Sequence, residues 1–167
     1  MTTRNEYQLD LSLVDLEQYS AIGTDIHLKA PEAADADALA DLMIDAYRGT
    51  IDYDNETVED AMSEVQAYLG GQRGGVPLLG LSRLAYRESL LVSACLVAEW
   101  DQRQQPIIAY VMTRADAKKQ GFASHVLISV LREIREAGHG GVRAVITQGN
   151  TASERLFGNL GFQKVST

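Results

Sequence analysis

The spacing of apolar residues changes period between residues 70 and 81, and this change most narrows the fold. Before it, apolar side chains return at helical intervals. Leu39, Leu42, Met43, Ala46 and Tyr47 share one face, and Asp35, Asp37, Asp41 and Asp45 take the polar one. Arg48-Gly49-Thr50 breaks that helix, and a second opens after Asp54-Asn55. Val58, Ala61, Met62, Val65, Tyr68 and Leu69 line its face, and Gly70-Gly71 stops it. After the change, short apolar runs at 81–87, 90–100 and 106–113 are separated by polar turns at Glu88-Ser89 and 101–105. These read as successive antiparallel strands joined by hairpins.

The remainder alternates. A strand pattern at 24–29, ended by Pro31, precedes the two helices. Beyond the hairpins, Phe122, Val126, Val130 and Ile134 step by four, with Leu127 and Leu131 in the seam, so 121–137 is a helix ended by Gly138. A strand at 142–147, a helix at 152–160 and a last strand at 162–165 follow. With 167 residues this is one mixed α/β domain, placed at 23–167. Residues 1–22 stand apart as an N-terminal extension. Tyr7, Leu9, Leu11 and Leu13 alternate with Gln8, Asp10 and Ser12, which suits an added edge strand or an arm packing on a second copy in a homodimer, and equally a partly ordered extension.

Several classes are excluded early. No apolar run approaches about 18 residues, and no basic start leads into an apolar stretch, which argues against a membrane partner or a signal peptide and for the cytoplasm. Cys95 is alone and no Cys/His cluster has ligand spacing, so no metal is expected. A net charge of -8 argues against nucleic acid as a partner.

The chemistry lies at the junction Thr113-Arg114-Ala115-Asp116-Ala117-Lys118-Lys119-Gln120-Gly121-Phe122-Ala123-Ser124. A helix start presents N–H groups without intrahelical partners and the positive end of the helix dipole. Gly121 and Ala123 clear side chains from those donors, and Lys118 and Lys119 add mobile positive charge. The combination suits a pyrophosphate, although the same residues also describe a solvated helix start. Neither the Walker pattern nor the Gly-x-Gly-x-x-Gly spacing is present.

Lys118-Lys119-Gln120-Gly121-Phe122-Ala123 resembles the central Arg/Gln-x-x-Gly-x-Gly/Ala motif of the GNAT superfamily of N-acetyltransferases. Asn150-Thr151-Ala152-Ser153-Glu154-Arg155-Leu156-Phe157-Gly158-Asn159-Leu160-Gly161-Phe162 is similar to its Asn-x-x-Ala-x-x-Leu-Tyr-x-x-x-Gly-Phe segment. The element order from residue 24 onward agrees. The resemblance implies a GNAT fold: an α/β (α+β mixed-sheet) domain whose mostly antiparallel sheet has two splayed strands and flanking helices. It implies an acyltransferase moving an acetyl group from acetyl-CoA directly to a primary amine of a small molecule. Val111, Met112 and Thr113 would lie beside the pantetheine arm, and the loop from Lys118 and Lys119 through Gln120, Gly121, Phe122, Ala123 and Ser124 would wrap the pyrophosphate. Asn150, Ser153 and Phe157 would complete the cofactor set, Asn150 through its amide and Phe157 near the sulfur.

The chain departs from the motif in three places. Lys118 replaces the usual Arg or Gln, and Ser153 stands where Ala is common. Phe157 occupies the position of a tyrosine that protonates the departing thiolate, and it has no proton to give. That favours, as alternatives, an acyl-CoA-binding sensor or regulatory module with little catalysis; a protein N-acetyltransferase is a further one. The strand at 106–113 carries Ile107 where some members place a glutamate, which leaves Glu99 and Tyr110 as catalytic candidates, with Asp52 and Glu56 from the acceptor side. The acceptor wall would run from Asp35 to Glu64, rich in acids, and Tyr47, Arg48, Thr50 and Asp52 are its candidate substrate residues. Those acids equally suit the wet faces of two amphipathic helices.

Overall fold

The computed structural model describes residues 3–19, 25–72 and 75–166. The expected boundary at 22–23, and Thr24 at the start of its strand, lie outside the described residues. Along the chain come β1 (Arg4–Asp10), β2 (Ile26–Lys29), α1 (Ala36–Tyr47), α2 (Val58–Leu69), β3 (Arg83–Arg87), β4 (Leu90–Trp100) and β5 (Gln105–Thr113). Then follow α3 (Phe122–Glu136), β6 (Gly141–Thr147), α4 (Thr151–Asn159) and β7 (Gln163–Lys164). The strands form one sheet in the order β2-β3-β4-β5-β6-β1-β7. Every neighbouring pair is antiparallel except β5 and β6. No helix among the described residues is long and apolar enough to cross a membrane.

Both faces of the sheet are covered, and β4 shows how. Leu91, Ala94, Leu96 and Ala98 turn toward α1 and α2, whereas Val92, Cys95 and Val97 turn toward α3. A strand buried on both faces reads as a continuous apolar run, which is why 90–100 does so. Tyr68 of α2 is 1% exposed, and its hydroxyl donates to the carbonyl of Val97 at 2.6 Å, tying α2 to the sheet. The start of α2 differs from the expected Asp54-Asn55. Thr57 caps it, accepting from the N–H of Asp60 while the Asp60 carboxylate accepts from the N–H of Thr57. A reciprocal capping box satisfies two donors at once and so fixes the first turn at Val58.

The N-terminal segment is not an edge strand. β1 lies inside the sheet, paired with β6 from Arg4↔Thr147 to Asp10↔Gly141 and with β7 at Tyr7 and Gln8. The edges are β2 and β7. Glu6 anchors the insertion through Arg143 at 2.6 Å and Arg103 at 2.8 Å. The period of two stops at Asp10, whose carboxylate accepts from the N–H of Ser12 and turns the chain into a 3-10 turn. Leu11 is then buried at 2%, while Leu13 is left 81% exposed.

The one parallel pair is also the shortest of the central ladders. β5 and β6 meet only at Ile107↔Arg143 and Ile108↔Ala144. Directly afterwards β5 carries an extra residue against β4, since Val97 faces Ile108 but Leu96 faces Tyr110. A bulge bends its strand and raises the local twist, so Ala109 turns β5 away from β6. The gap opened there positions the site.

Asp35 fixes the entry to α1. It is 6% exposed, and its carboxylate accepts from Lys29 Nζ, the N–H of Glu32 and the Tyr86 hydroxyl. Burial alone would raise its pKa, but the Lys29 hydrogen bond and the other two donors outweigh it, and the net shift is downward. A depressed carboxylate contributes stability that is present above its unfolded pKa and lost as pH falls through its folded value. Asp35→Ala is therefore expected to cost about 2 kcal/mol in urea unfolding at pH 7. The difference from wild type should shrink as pH drops below 3.8, the ordinary value for this group.

Candidate active site

Where β5 and β6 part, a cavity of about 560 Å³ opens. Tyr110 and Val111 of β5, Val145, Ile146 and Thr147 of β6, and Asn150, Ser153 and Phe157 of the following turn and α4 form one side. Tyr47 at the end of α1, the loop residues Asp52, Tyr53 and Glu56, and Asp60 and Glu64 of α2 form the other, and Arg4 enters from β1. Four carboxylates thus line the cavity against one guanidinium. The field reports itself at Tyr47: burial first, then the charges of Asp52 and Glu64, push its hydroxyl well above the usual tyrosine range, with Arg4 opposing them.

Tyr110 is the catalytic candidate that the cavity contains. Its hydroxyl donates to the Glu64 carboxylate, and its ring meets Tyr68 edge-on at 5.9 Å. Glu99 does not join it. That residue is exposed opposite Pro106, near the pinched end of the β5–β6 pair, and its N–H donates to the carbonyl of Val76. Ile107 packs against the α1–α2 core. Glu64 was legible only as one acid among many, because its partner Tyr110 lies far off in sequence on a different element.

The expected acceptor wall divides by use. Asp41 and Asp45 hold Arg114 at 3.1 and 3.6 Å, and Asp45 also accepts from the N–H of Ala115, so these acids dock the turn after β5. Asp35 is the buried anchor described above. Of the substrate candidates, Tyr47 and Asp52 line the cavity, while Arg48 faces a separate hollow beside Asp37 and Asp41. Thr50 closes a local turn, its hydroxyl donating to the carbonyl of Tyr47 at 2.7 Å.

The cofactor candidates are likewise spread. Val111, Asn150, Ser153 and Phe157 line the cavity. Met112 is buried at 1% beneath α1 and α2, and its carbonyl accepts from the Ser93 hydroxyl. Thr113 is buried too, its hydroxyl 2.9 Å from that of Ser93. Phe157 is 4% exposed and packs edge-on against Phe162 at 4.9 Å, so the residue without a hydroxyl is also a core residue. The Asn150 amide is already engaged: Oδ1 accepts from the N–H of Ser153 at 3.2 Å, and Nδ2 donates to Asp52 at 2.8 Å.

Beyond the cavity, Gly121 adopts φ 89° and starts α3. The first intrahelical bond is from His125 N–H to the carbonyl of Gly121, so the N–H groups of Phe122, Ala123 and Ser124 precede it without helical partners. The left-handed conformation is open to glycine at little cost, which explains Gly121. Phe122 is buried at 1% under the Arg87 guanidinium, whereas Ala123 and Ser124 are half-buried. Lys118 does not stand free beside these donors, because its Nζ donates to the carbonyl of Ala46 at 2.8 Å and helps cap α1. Gln120 donates back to the carbonyl of Asp116. Lys119, exposed with φ 65°, is left as the mobile charge. Among the described residues no group of three or more His, Cys, Asp or Glu could hold a metal ion.

Comparison with known proteins agrees with this architecture. The family model described as FR47-like protein matches residues 86–167. No curated protein sequence matches. Among solved structures, a GCN5-related N-acetyltransferase from Sphaerobacter thermophilus superposes with a TM-score of 0.73 at 17% identity, covering 98% of this chain and 49% of its own. The chain therefore spans about half the length of that protein. PH1933 from Pyrococcus horikoshii OT3 gives a TM-score of 0.70 at 16% identity, covering 85% of this chain and 91% of its own. The Salmonella typhimurium protein yncA, solved with its cofactor acetyl-CoA, gives 0.66 at 19% identity, covering 86% of this chain and 82% of its own. With its mostly antiparallel sheet parted at one parallel pair, and with these matches, the chain has the fold of the GNAT superfamily.

Proposed function

We propose that the chain transfers an acetyl group from acetyl-CoA to a primary amine of a small molecule. The observation that carries this reading is the parting of β5 and β6 onto a cavity whose far wall is acidic. An extended, amide-rich arm needs unpaired strand edges, and β5 beyond Ile108 has no pairing with β6. A pyrophosphate needs clustered donors, and the N–H groups of Phe122, Ala123 and Ser124 are such a cluster next to Lys119. A protonated amine is drawn to Asp52, Glu56, Asp60 and Glu64.

In the proposed reaction, the amine gives up a proton to Glu64, which Tyr110 holds in place. Its nitrogen then attacks the thioester carbonyl carbon, and a backbone N–H of the parted strand near Val111 or Met112 steadies the oxyanion. The C–N bond forms, the tetrahedral nitrogen sheds its second proton to solvent, the C–S bond breaks as the carbonyl re-forms, and the sulfur leaves as a thiolate. A cysteine-like thiol ionises at about pH 8.5, close enough to neutrality that departure as the anion is feasible. The test is CoA release, followed with a thiol reagent, when acetyl-CoA meets a panel of primary amines. Tight acetyl-CoA binding with no release across the panel would sink the proposal.

Phe157 favours a second reading, an acyl-CoA-binding module with little turnover. Phe157→Tyr separates the two. In a working enzyme the added hydroxyl borders the cavity and is expected to raise kcat by about tenfold, short of the ~hundredfold that a well-placed acid supplies. In a binding module it changes neither acetyl-CoA affinity nor CoA release.

A further inference from the structure

We infer that Asn150 is a positioning residue for the amine acceptor, its side-chain amide orienting the Asp52 carboxylate. The inference rests on the amine acetyltransfer proposed above and deepens it, by saying what sets the acidic wall. Both ends of the amide are engaged within the protein. Oδ1 caps α4 by accepting from the N–H of Ser153 at 3.2 Å, and this cap fixes the amide plane so that Nδ2 reaches Asp52 at 2.8 Å. The bond spans from α4 on one side of the cavity to the α1–α2 loop on the other.

Asp52 needs such a partner. It sits between helices, in a stretch whose local order comes from the Thr50 hydroxyl, which accepts from the Asp52 N–H at 3.3 Å. Ile51 beside it comes near Gly149, where an added Cβ would meet its Cδ1 at 3.8 Å. Two adjacent loop residues therefore approach the β6–α4 corner, Asp52 by a hydrogen bond. A recognition group on a loop is set precisely only when a more rigid element holds it, and a helix N-cap is rigid. Asp52 also faces into the cavity, since its charge is among those that raise the Tyr47 hydroxyl.

Aspartate at 150 separates the two jobs of the asparagine. It caps a helix as well as asparagine does, but it cannot donate to Asp52 and sets a like charge beside it. With an amine found by the CoA-release assay, Asn150→Asp is expected to raise the amine KM by about tenfold, the scale of a hydrogen bond to a charged group. Its kcat should stay within about twofold, because the amide takes no part in the proton transfer. Asp52→Ala should raise the amine KM similarly, and the double variant should be no worse than Asp52→Ala alone. Asn150→Ser, which keeps a cap but is too short to reach Asp52, provides the same reading without the added charge.

A tenfold weaker acetyl-CoA Kd with an unmoved amine KM would overturn the inference and return the amide to the pantetheine. Effects on KM that multiply in the double variant would overturn it too. A wild type that releases no CoA with any amine would instead strike the proposed reaction itself, and the positioning role with it.

Discussion

Glu64→Gln is expected to lower kcat for amine acetylation by about a hundredfold or more, while leaving the acetyl-CoA Kd near the wild-type value. Glutamine preserves shape and can still accept from the Tyr110 hydroxyl, so the α2–β5 contact survives. What disappears is the capacity to take the proton. The amine KM should rise only severalfold, because Asp52, Glu56 and Asp60 remain as the negative wall. Tyr110→Phe should cost less, about tenfold, since it loosens the base without removing it. Should Glu64→Gln retain full turnover while Asp52→Asn loses it, the base is on the loop and the Glu64 assignment fails.

Periodicity read the elements well wherever burial had a single period. The helices at 36–47 and 122–136 follow from residues that recur every three to four positions, and the strands β4 and β5 from short apolar runs between polar turns. Local chemistry was harder to see. The box of Thr57 and Asp60, rather than Asp54-Asn55, starts α2, because reciprocal caps outweigh a single acidic residue in an irregular turn. The site was legible where its signal is local in sequence, as in Gly121 and the N–H groups behind it. It was illegible where it depends on side chains brought together from separate elements. Glu64 with Tyr110, Asp52 with Asn150, and Lys118 with the carbonyl of Ala46 pair residues 46, 98 and 72 positions apart. The lone extra residue at Ala109 has no signature in an apolar run, yet it parts the strands. Lysine at 118 shows what a charge by type leaves unread: its Nζ also caps a nearby helix end through the carbonyl of Ala46.

The N-terminal strand shows how far tertiary pairing can redirect a correct local reading, and it carries the second large effect. Removing residues 1–10 is expected to abolish cooperative folding, although the sequence sets the segment apart as an extension. Its alternation was real, but no local pattern tells an edge strand from an inserted one. Inserted, β1 supplies the whole of the β6 ladder on one side and bonds to the tail through Val165 N–H and the carbonyl of Glu6. Its loss would strip cover from Val142, Ala144 and Ile146, now 0%, 1% and 5% exposed, of which Ala144 and Ile146 line the cavity. It would also take from Arg143 the Glu6 carboxylate at 2.6 Å, leaving it Gln105. Leu9 alone, 4% exposed and in contact range of Gly161, is worth about 2–4 kcal/mol against alanine. Added to the ladder and the ion pairs, this approaches the roughly 5–15 kcal/mol that hold a whole domain together. Leu9→Ala should therefore lower the thermal midpoint by about 5–15 °C, and the truncated chain should melt without a transition by circular dichroism. A truncated chain that still melts cooperatively within a few degrees of wild type would make β1 an accessory, and would free Arg4 from any part in the acceptor wall.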